Sequence, residues 1–318
     1  MTRNDSRPSR RTVLGGAGLA ALATAAAGGT ALAGPRRGAG RPTEFPLPDG
    51  FQPEGITIGK EPYAYLGSLA NGAVYRADLR TGRGRVVYAG AEGTSAVGVK
   101  LDHDGLLYIA GRTDGTVRVL DTHTGTLVAT HQAAPESGHF INDAVLLRDR
   151  AWFTDSYDSV LYGVPRGRYG PHEIRELPLG GDWQQEPDGV NANGVVATPD
   201  ERALIVVNSP LGRLYRVSLR TGRATEIALR GAEDVVGGDG LVRLGSTLYV
   251  VQNRQNVVSV FTLDERGTTA KLRRRITDPR FDVPTTAAPY RNRLYLVNAR
   301  FTTPPEPDTE YNVVAVPL

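Results

Sequence analysis

A segment that repeats six times along the chain is the feature that most restricts its fold. Each copy consists of a short apolar strand, a polar turn and a second apolar strand. The copies begin at Pro53, Ala96, Ile141, Ala192, Gly238 and Pro284. In every copy the second apolar strand starts 10 to 12 residues after the second residue of the copy. Repetition at this period is typical of an array of similar structural units.

Most copies continue into two further strands. Segments such as "GAVYRADLRTG" (72–82) alternate apolar and polar residues and predict a third, half-exposed strand, and segments such as "KLRRRI" (271–276) predict a fourth. Four antiparallel strands every 43 to 51 residues predict an all-β fold, a six-bladed β-propeller with four-stranded antiparallel blades. The last copy ends with its third strand. We expect Thr43 to Pro48 to supply the fourth, so that an N-terminal strand closes the ring.

The first 33 residues have the pattern of an export signal. Paired Arg10 and Arg11 precede a mild apolar stretch rich in glycine and alanine, and an Ala-x-Ala site follows at Ala31 and Ala33. This order predicts a twin-arginine signal peptide over residues 1–33, cleaved after Ala33, and hence a secreted or extracytoplasmic protein. The alternative is an uncleaved N-terminal anchor. Residues 34–42 are predicted to be a disordered lead-in to a propeller domain over residues 43–318.

Most of the positive charge belongs to that signal. The whole chain has a net charge of +3, and residues 1–33 hold four arginines and one aspartate, which also gives +3. The remainder is close to neutral, so electrostatics do not indicate nucleic acid or, after signal cleavage, a membrane as a partner. The chain has no cysteine, which excludes disulfides, thiolate metal ligands and a cysteine nucleophile. We expect a monomer that acts on a small molecule.

The second residue of each copy is expected to face the central channel, because the first strand of every propeller blade lines it. In order these residues are Glu54, Val97, Asn142, Asn193, Asp239 and Thr285. Two carboxylates that meet on an axis repel each other unless one is protonated or a cation lies between them. Carboxylates with amide oxygens are ligands for a hard cation, and Ca²⁺ suits such a set better than Mg²⁺.

The sequence thus predicts a divalent-cation site, most naturally for Ca²⁺, with four ligands: Glu54, Asn142, Asn193 and Asp239. The alternative is that these are ordinary turn residues at the start of each strand, since Asn-Gly and Asp-Gly mark turns in many folds.

In these motifs the chain resembles the senescence marker protein/gluconolactonase/luciferin-regenerating enzyme family of six-bladed propellers. The resemblance covers residues 43–318. It rests on "PEG" with Glu54, "ND" with Asn142 and Asp143, "NG" with Asn193, and "DG" with Asp239. It implies that these glutamate, asparagine and aspartate residues hold a divalent cation, and that Asp239 is also catalytic, as base or nucleophile. The family includes sugar lactonases, organophosphate hydrolases and strictosidine-synthase-like proteins, so it does not choose a substrate.

The chain departs from the family pattern at one point. Sugar-specific lactonases of this family carry a substrate-binding arginine in the region of blades 2 and 3. Here the second copy begins with "SAVGVK" (95–100), which is small and apolar, and no equivalent arginine aligns. The resemblance therefore does not extend to a sugar lactone as the substrate.

Residues at the ends of the second strands are expected to surround the same mouth of the channel. With Asp143, which follows Asn142, the candidates for substrate binding are Asp143, Asp155, Asn208, Gln252, Asn253 and Arg300. The alternative is that they cap strands or bond to neighbouring blades. His139 either reaches the pocket or is a surface-loop histidine. The chain has no G-x-S-x-G motif, so a serine hydrolase is not indicated.

Two functions fit these predictions. In the first, the protein is an exported hydrolase of lactones or esters that depends on a divalent cation, with Asp239 activating water or attacking the carbonyl. In the second, it is a non-catalytic propeller that binds a ligand or a protein and uses the cation to stiffen the ring. Neutral amides beside the carboxylate pair leave coordination positions open and favour the hydrolase. The missing substrate arginine and the apolar second blade favour the binding module. We favour the hydrolase.

Overall fold

The computed structural model describes residues 40–166 and 173–318, and every regular element in these ranges is a β-strand. The strands form six sheets of four or five strands each. The prediction of an all-β, six-bladed propeller is therefore confirmed. The predicted signal peptide and residues 34–39 of the lead-in lie outside the described residues. The described residues form no helix that could span a membrane.

The chain begins with a short strand and then builds the first three blades in order. The first strand is β1 (Glu44–Pro46). Blade 1 contains β2 (Pro53–Ile58), β3 (Tyr63–Ser68), β4 (Val74–Asp78) and β5 (Gly84–Tyr88). Blade 2 contains β6 (Val99–Leu101), β7 (Leu106–Ala110), β8 (Thr116–Asp121) and β9 (Thr126–Gln132). Blade 3 contains β10 (Ile141–Leu146), β11 (Arg150–Asp155), β12 (Val160–Pro165) and β13 (Arg175–Pro178).

The remaining blades follow the same order from the channel outward. Blade 4 contains β15 (Ala192–Ala197), β16 (Ala203–Asn208), β17 (Arg213–Ser218) and β18 (Arg223–Glu226), with β14 (Gly180–Gly181) at its edge. Blade 5 contains β20 (Gly238–Leu244), β21 (Thr247–Gln252), β22 (Val257–Leu263) and β23 (Thr269–Ile276), with β19 (Ala228–Arg230) at its edge. Blade 6 contains β24 (Pro284–Tyr290), β25 (Arg293–Asn298) and β26 (Asn312–Pro317), and β1 completes it.

The N-terminal strand closes the ring as predicted. β1 pairs antiparallel with β26, with Glu44 opposite Val314, so the last blade combines both ends of the described chain. Phe45 is 2% exposed and packs in one apolar cluster with residues of blades 1 and 6, including Ile56 and Val313. Burial of this ring is worth about 1.5–3 kcal/mol. The strand therefore joins the first and last blades and covers a sheet edge.

Two blades have a fifth strand that the sequence pattern did not predict. After the outermost strand of blade 3 the chain continues as β14, which pairs in parallel with the outermost strand of blade 4. In the same way β19 leaves blade 4 and pairs in parallel with β23 of blade 5. Each connection thus covers the outer edge of the next blade, and an exposed edge would otherwise be free to pair with another chain.

A break in the strand pairing positions the channel residues. In blade 1 the pairing passes from Pro53 opposite Ser68 directly to Ile56 opposite Leu66, so two residues of β2 oppose one of β3. The first strands of blades 3 to 6 show the same shift. A bulge of this kind re-aims a side chain that would otherwise follow the regular pleat. These bulges contain five of the six residues predicted on the axis, all except Val97: Glu54, Asn142, Asn193, Asp239 and Thr285.

Glycine follows the channel residue in four blades, because the first strands of neighbouring blades approach closely there. A Cβ atom on Gly194 would lie 2.6 Å from the backbone nitrogen of Leu241 and closer still to the carbonyl oxygen of Asp239. Both atoms belong to the backbone of the next blade and cannot rotate away. The side chain of residue 194 is therefore limited to hydrogen.

We expect Gly194→Ala to lower the free energy of unfolding by about 1–3 kcal/mol, because overpacking of this kind forces backbone shifts. Urea unfolding of the purified protein measures this change. Gly180→Ala is the matched control, since a Cβ atom on Gly180 has no neighbour within 4 Å. Equal stability of the two variants would show that the blades can separate at this point without cost.

Candidate metal centre and cavity

One cavity at the mouth of the channel contains all four residues predicted to bind a metal. It has a volume of about 540 Å³ and receives residues from all six blades. The four side chains line it and are at most 8% exposed: Glu54, Asn142, Asn193 and Asp239. Blade 2 contributes Val97 at the equivalent position. In blade 6 the Thr285 hydroxyl instead donates to the carbonyl oxygen of Glu54 at 2.7 Å. The structure thus brings together in one cavity the four residues selected from the sequence.

The orientation of the Asn142 amide follows from its hydrogen bonds. The Ser156 hydroxyl donates its hydrogen to the carbonyl oxygen of Ala192 in the next blade, at 2.7 Å. It can therefore only accept from Asn142, whose Nδ2 lies 2.8 Å from it. The amide nitrogen is thus held on the serine, and the amide oxygen is free for a ligand in the cavity.

Blade 4 repeats the same arrangement. The Ser209 hydroxyl donates to the carbonyl oxygen of Gly238 in blade 5, and Asn193 donates its Nδ2 to Ser209 at 3.2 Å. Both asparagines therefore use their NH₂ groups within the protein and leave their oxygens available. An amide oxygen is a donor for a hard cation, whereas an NH₂ group is not.

In blade 5 an asparagine takes the place of the serine. Asn253 accepts a hydrogen bond from the backbone nitrogen of Arg254 through Oδ1, at 2.6 Å, so its NH₂ group faces the other way. That group donates to Oδ2 of Asp239 at 2.7 Å. Asn253 thus fixes the rotation of the Asp239 carboxylate through its hydrogen bond to Oδ2.

Burial gives both carboxyl groups raised pKa values. The pKa of Asp239 rises to about 7, mainly because the group is buried, and the negative charge of Asp143 adds to the shift, whereas hydrogen bonds from Asn253 and Asn193 oppose it. The pKa of Glu54 also lies well above its usual range, because of burial first and then of the charges of Asp239 and Asp143. In the part of the chain that the structure describes, no side chain donates a hydrogen bond to Glu54. A divalent cation would stabilise both ionised forms.

The donor chemistry of the cavity fits a hard divalent cation. Two carboxylates and two fixed amide oxygens face the same space, and all four are ligands that Ca²⁺ prefers. A separate acidic group, Asp102 with His103 and Asp104, lies in the turn between β6 and β7. Asp102 accepts hydrogen bonds there from the backbone of Asp104 and Leu106, so the turn itself accounts for its position.

Of the six residues predicted to bind substrate, Asn253 lines the cavity, and three others are used in the scaffold. Asp155 is fully buried and accepts hydrogen bonds from three backbone nitrogens, at residues 140, 157 and 158. Asn208 donates to the carbonyl oxygen of Gln184, and Gln252 donates to that of Val236. These side chains hold the loops around the mouth.

Asp143, His139 and Arg300 also lie outside the set of residues that line the cavity. Asp143 is buried, forms an ion pair with Lys100 at 3.0 Å, and acts on the site through its charge. Nδ1 of His139 lies 2.6 Å from Oδ2 of Asp155. Arg300 bonds to Asp282 and to the carbonyl oxygen of Glu310.

Arg300 lines a second cavity of about 830 Å³ along β1. That cavity is larger than the one at the channel mouth. Its two arginines, Arg280 and Arg300, are paired with Asp278 and Asp282. We therefore place the functional site at the channel mouth, where the chemically active groups converge.

Sequence reasoning missed three residues that shape the site. Ser156 and Ser209 directly follow the second strands of blades 3 and 4. An alignment of the repeats extended by one residue would have shown that each serine belongs to a blade with an asparagine at the channel position. Arg112 lines the cavity from the loop after β7. No arginine aligned at the start of the first strand of blade 2, and the structure brings this one to the same mouth from the end of the second strand. Its backbone has a φ of +70°, an unusual conformation for a side chain of this size.

Comparison with known proteins supports the fold. No protein-family model and no curated protein sequence matches the chain. Among solved structures, the Malassezia sympodialis allergen Mala s 1 is 14% identical with a TM-score of 0.67, and the match covers 86% of this chain and 96% of the allergen.

Two further solved structures bear names that match the resemblance found in the sequence. The calcium-binding protein regucalcin from Agrobacterium tumefaciens is 20% identical with a TM-score of 0.58, over 85% of this chain and 92% of that protein. A gluconolactonase from Xanthomonas campestris is 17% identical with a TM-score of 0.58, over 83% and 86%. The suspected family resemblance is thus supported. At these identities the likeness itself shows the shared fold.

Proposed function

We propose that the protein is a hydrolase of lactones or esters that uses a Ca²⁺ ion in the central channel. The observation that carries the proposal is the convergence of Glu54, Asp239 and two fixed asparagine oxygens on one cavity of about 540 Å³. A cavity of this size accommodates a small organic substrate. The names of the calcium-binding regucalcin and of the gluconolactonase that share the fold agree with this proposal.

In this mechanism Asp239 moves the proton. Its carboxylate is buried and lines the cavity, so the ionised form, which a bound cation favours, can accept a proton from water there. The oxygen of water bonds to the carbonyl carbon, the acyl C–O bond breaks, and the proton taken by Asp239 passes to the leaving oxygen. A lactone gives one hydroxy acid. When bound, the cation supplies polarisation of the carbonyl group.

Other residues of the cavity orient the base and stabilise charge. Asn253 holds the Asp239 carboxylate in one rotation through its 2.7 Å hydrogen bond. Arg112 lines the same cavity and its positive charge favours the ionised form of Glu54. A guanidinium in this position can also donate to an oxygen that gains negative charge during the reaction.

A screen of the purified protein tests the proposal. Aryl esters, alkyl lactones and sugar lactones are assayed with added Ca²⁺ and again with a chelator. Turnover that disappears with the chelator and returns with Ca²⁺ is expected. Turnover that is unchanged by the chelator would refute a role for the cation. Complete inactivity with measurable ligand binding would favour the non-catalytic binding module instead, for which the exposed side chains of Val190, Val236 and Phe301 at the cavity mouth provide a surface.

The serines beneath the asparagines provide a prediction for metal affinity. Replacing both Ser156 and Ser209 by alanine releases the two amide groups, which can then rotate their NH₂ groups into the cavity. Loss of such supporting contacts typically weakens metal binding by about 10- to 100-fold, and calorimetric titration with Ca²⁺ measures the change. The control is Ser246→Ala, at an exposed turn between β20 and β21. Unchanged affinity in the double variant would mean that the asparagine oxygens are not ligands.

We also propose that the protein is exported by the twin-arginine route, on the basis of the sequence at residues 1–33. Replacing both Arg10 and Arg11 by lysine is expected to retain the precursor in the cytoplasm, as measured by fractionation and immunoblotting. Arg36 and Arg37 form a second arginine pair beyond the predicted cleavage site, so their replacement by lysine is the matched control. Normal export of the Arg10/Arg11 variant would rule out this route.

A further inference from the structure

We propose that the cavity accepts a lactone or ester that carries a hydrocarbon group, either an alkyl chain or an aromatic ring, and that it disfavours sugar lactones. The inference rests on the proposed function, because it assumes that the carbonyl group binds at the metal centre. It depends on the walls of the cavity and on the exposed residues at its mouth, which are independent of the four metal-binding residues.

Exposed apolar side chains are concentrated at the mouth. In the described part of the chain, seven large hydrophobic residues are strongly exposed, and three of them line this cavity. They are Val190 at 37%, Val236 at 38% and Phe301 at 43% exposure. They come from blades 4, 5 and 6, so they surround one side of the opening. Apolar side chains grouped at the mouth of a concave site indicate a surface that a ligand covers.

Hydrogen bonds hold the loops that carry Val236 and Phe301. Gln252 donates to the carbonyl oxygen of Val236 at 3.0 Å. Arg300, directly before Phe301, is held by Asp282 at 2.8 Å. The apolar groups are thus presented to solvent by an ordered scaffold, and a ligand that binds them does not have to order the loops first.

The floor of the cavity is apolar on the side of blades 1 and 2. Leu69 follows the second strand of blade 1, at the position that Ser156 holds in blade 3, and it lines the cavity. Val97 occupies the channel position of blade 2 that holds an asparagine in blades 3 and 4. One half of the floor therefore offers oxygen ligands, and the other half offers hydrocarbon surface beside Glu54.

The cationic groups of the cavity also suit such a ligand. Arg112 lies over the ring of Phe140, with the guanidinium carbon 5.6 Å from the ring centroid. Arg254 also lines the cavity. Among the described residues, neither Arg112 nor Arg254 forms an ion pair with a carboxylate. A stacked guanidinium presents a weakly hydrated face and keeps its N–H donors at the edge. These donors suit a carbonyl group or a carboxylate product. A polyol needs partners along its whole length, and the apolar walls do not supply them.

The test measures dependence on chain length. Hydrolysis by the calcium-loaded protein is followed for γ-lactones from γ-butyrolactone to γ-nonalactone and for gluconolactone. Binding of 2-alkyl cyclopentanones, which have the carbonyl group but no ester bond, is measured by calorimetry. A fully buried methylene is worth about fourfold in affinity, and we expect the affinity and kcat/KM to rise with each methylene up to this factor.

Rim variants connect this dependence to the cavity mouth. Phe301→Ser and Val236→Thr are expected to flatten the rise with chain length in both assays. The control is Val128→Thr, at a residue that is 55% exposed on the outermost strand of blade 2. Because all three side chains are exposed, melting curves should change little, and the comparison then reports on recognition.

The outcomes separate the two proposals. Hydrolysis without dependence on chain length, or with a preference for gluconolactone, would overturn the inference and leave the hydrolase assignment in place. Chain-length dependence of cyclopentanone binding without hydrolysis of any lactone would overturn the hydrolase assignment and support the ligand class. Absence of both would overturn both proposals.

Discussion

Asp239→Asn is expected to lower the rate of hydrolysis by about 10² to 10⁴, the usual contribution of a general base, while the protein still binds Ca²⁺. An asparagine at this position has nearly the same volume and retains one oxygen. Asn253 can still donate to that oxygen, because its own orientation is fixed by the backbone nitrogen of Arg254. The variant loses the negative charge and the ability to accept a proton, so metal affinity falls and proton transfer stops.

Glu54→Gln separates the two effects. Glu54 lines the same cavity but receives no hydrogen bond comparable to the one that Asp239 receives from Asn253, and the proposed mechanism assigns it no proton transfer. Its replacement should weaken Ca²⁺ binding, so activity should recover in large part at high Ca²⁺ concentration. The comparison is made on kcat, at Ca²⁺ concentrations that saturate each variant.

Full turnover of Asp239→Asn at saturating Ca²⁺ would show that the base is another group. A loss that high Ca²⁺ restores completely would assign Asp239 to metal binding alone. A loss that persists at saturation, with recovery of Glu54→Gln, supports the division of roles proposed for the two carboxylates.

The repeat made the fold and the centre of the site predictable from sequence. Each blade alternates apolar and polar residues in the same order, and equivalent positions in a closed ring must converge. This is why Glu54, Asn142, Asn193 and Asp239 could be selected without a structure. The β-bulges that direct these side chains into the channel depend on how each first strand pairs, and a period in the sequence does not reveal that pairing.

Contacts between blades account for most of what the sequence missed. Ser156 donates to Ala192, 36 positions away, and this bond determines which end of the Asn142 amide faces the cavity. Such a bond depends on the tilt of one blade against the next. Polarity alone also did not show which polar residues at the strand ends line the cavity and which support the surrounding loops. Asn253 lines the cavity, whereas Asn208 supports a loop.

Ca²⁺ is expected to raise the stability of the protein more at pH 8 than at pH 5. The folded-state pKa of Asp239 is about 7 against an ordinary value of 3.8, so the folded protein holds this proton more tightly than the unfolded chain does. Between these values the folded state binds more protons, and the free energy of unfolding of the metal-free protein therefore falls as pH rises. The raised pKa of Glu54 acts in the same direction.

A bound cation removes this penalty, because it stabilises the ionised carboxylates. At a hundredfold excess over Kd, binding to the folded state contributes about 2.7 kcal/mol, which corresponds to a rise of about 5 °C in Tm for a domain of this size. At pH 5 protons compete with the cation, so the rise should be smaller. Melting curves with chelator and with Ca²⁺ at both pH values measure this difference.

The double variant Glu54→Gln with Asp239→Asn should lose the response to Ca²⁺, whereas Asp104→Asn, in the exposed acidic turn, should retain it. A response that disappears with Asp104→Asn would place the cation at that turn. An equal rise in Tm at pH 5 and pH 8 would show that the ligands do not exchange protons for the cation, and so would exclude the buried carboxylates of the channel as the calcium site.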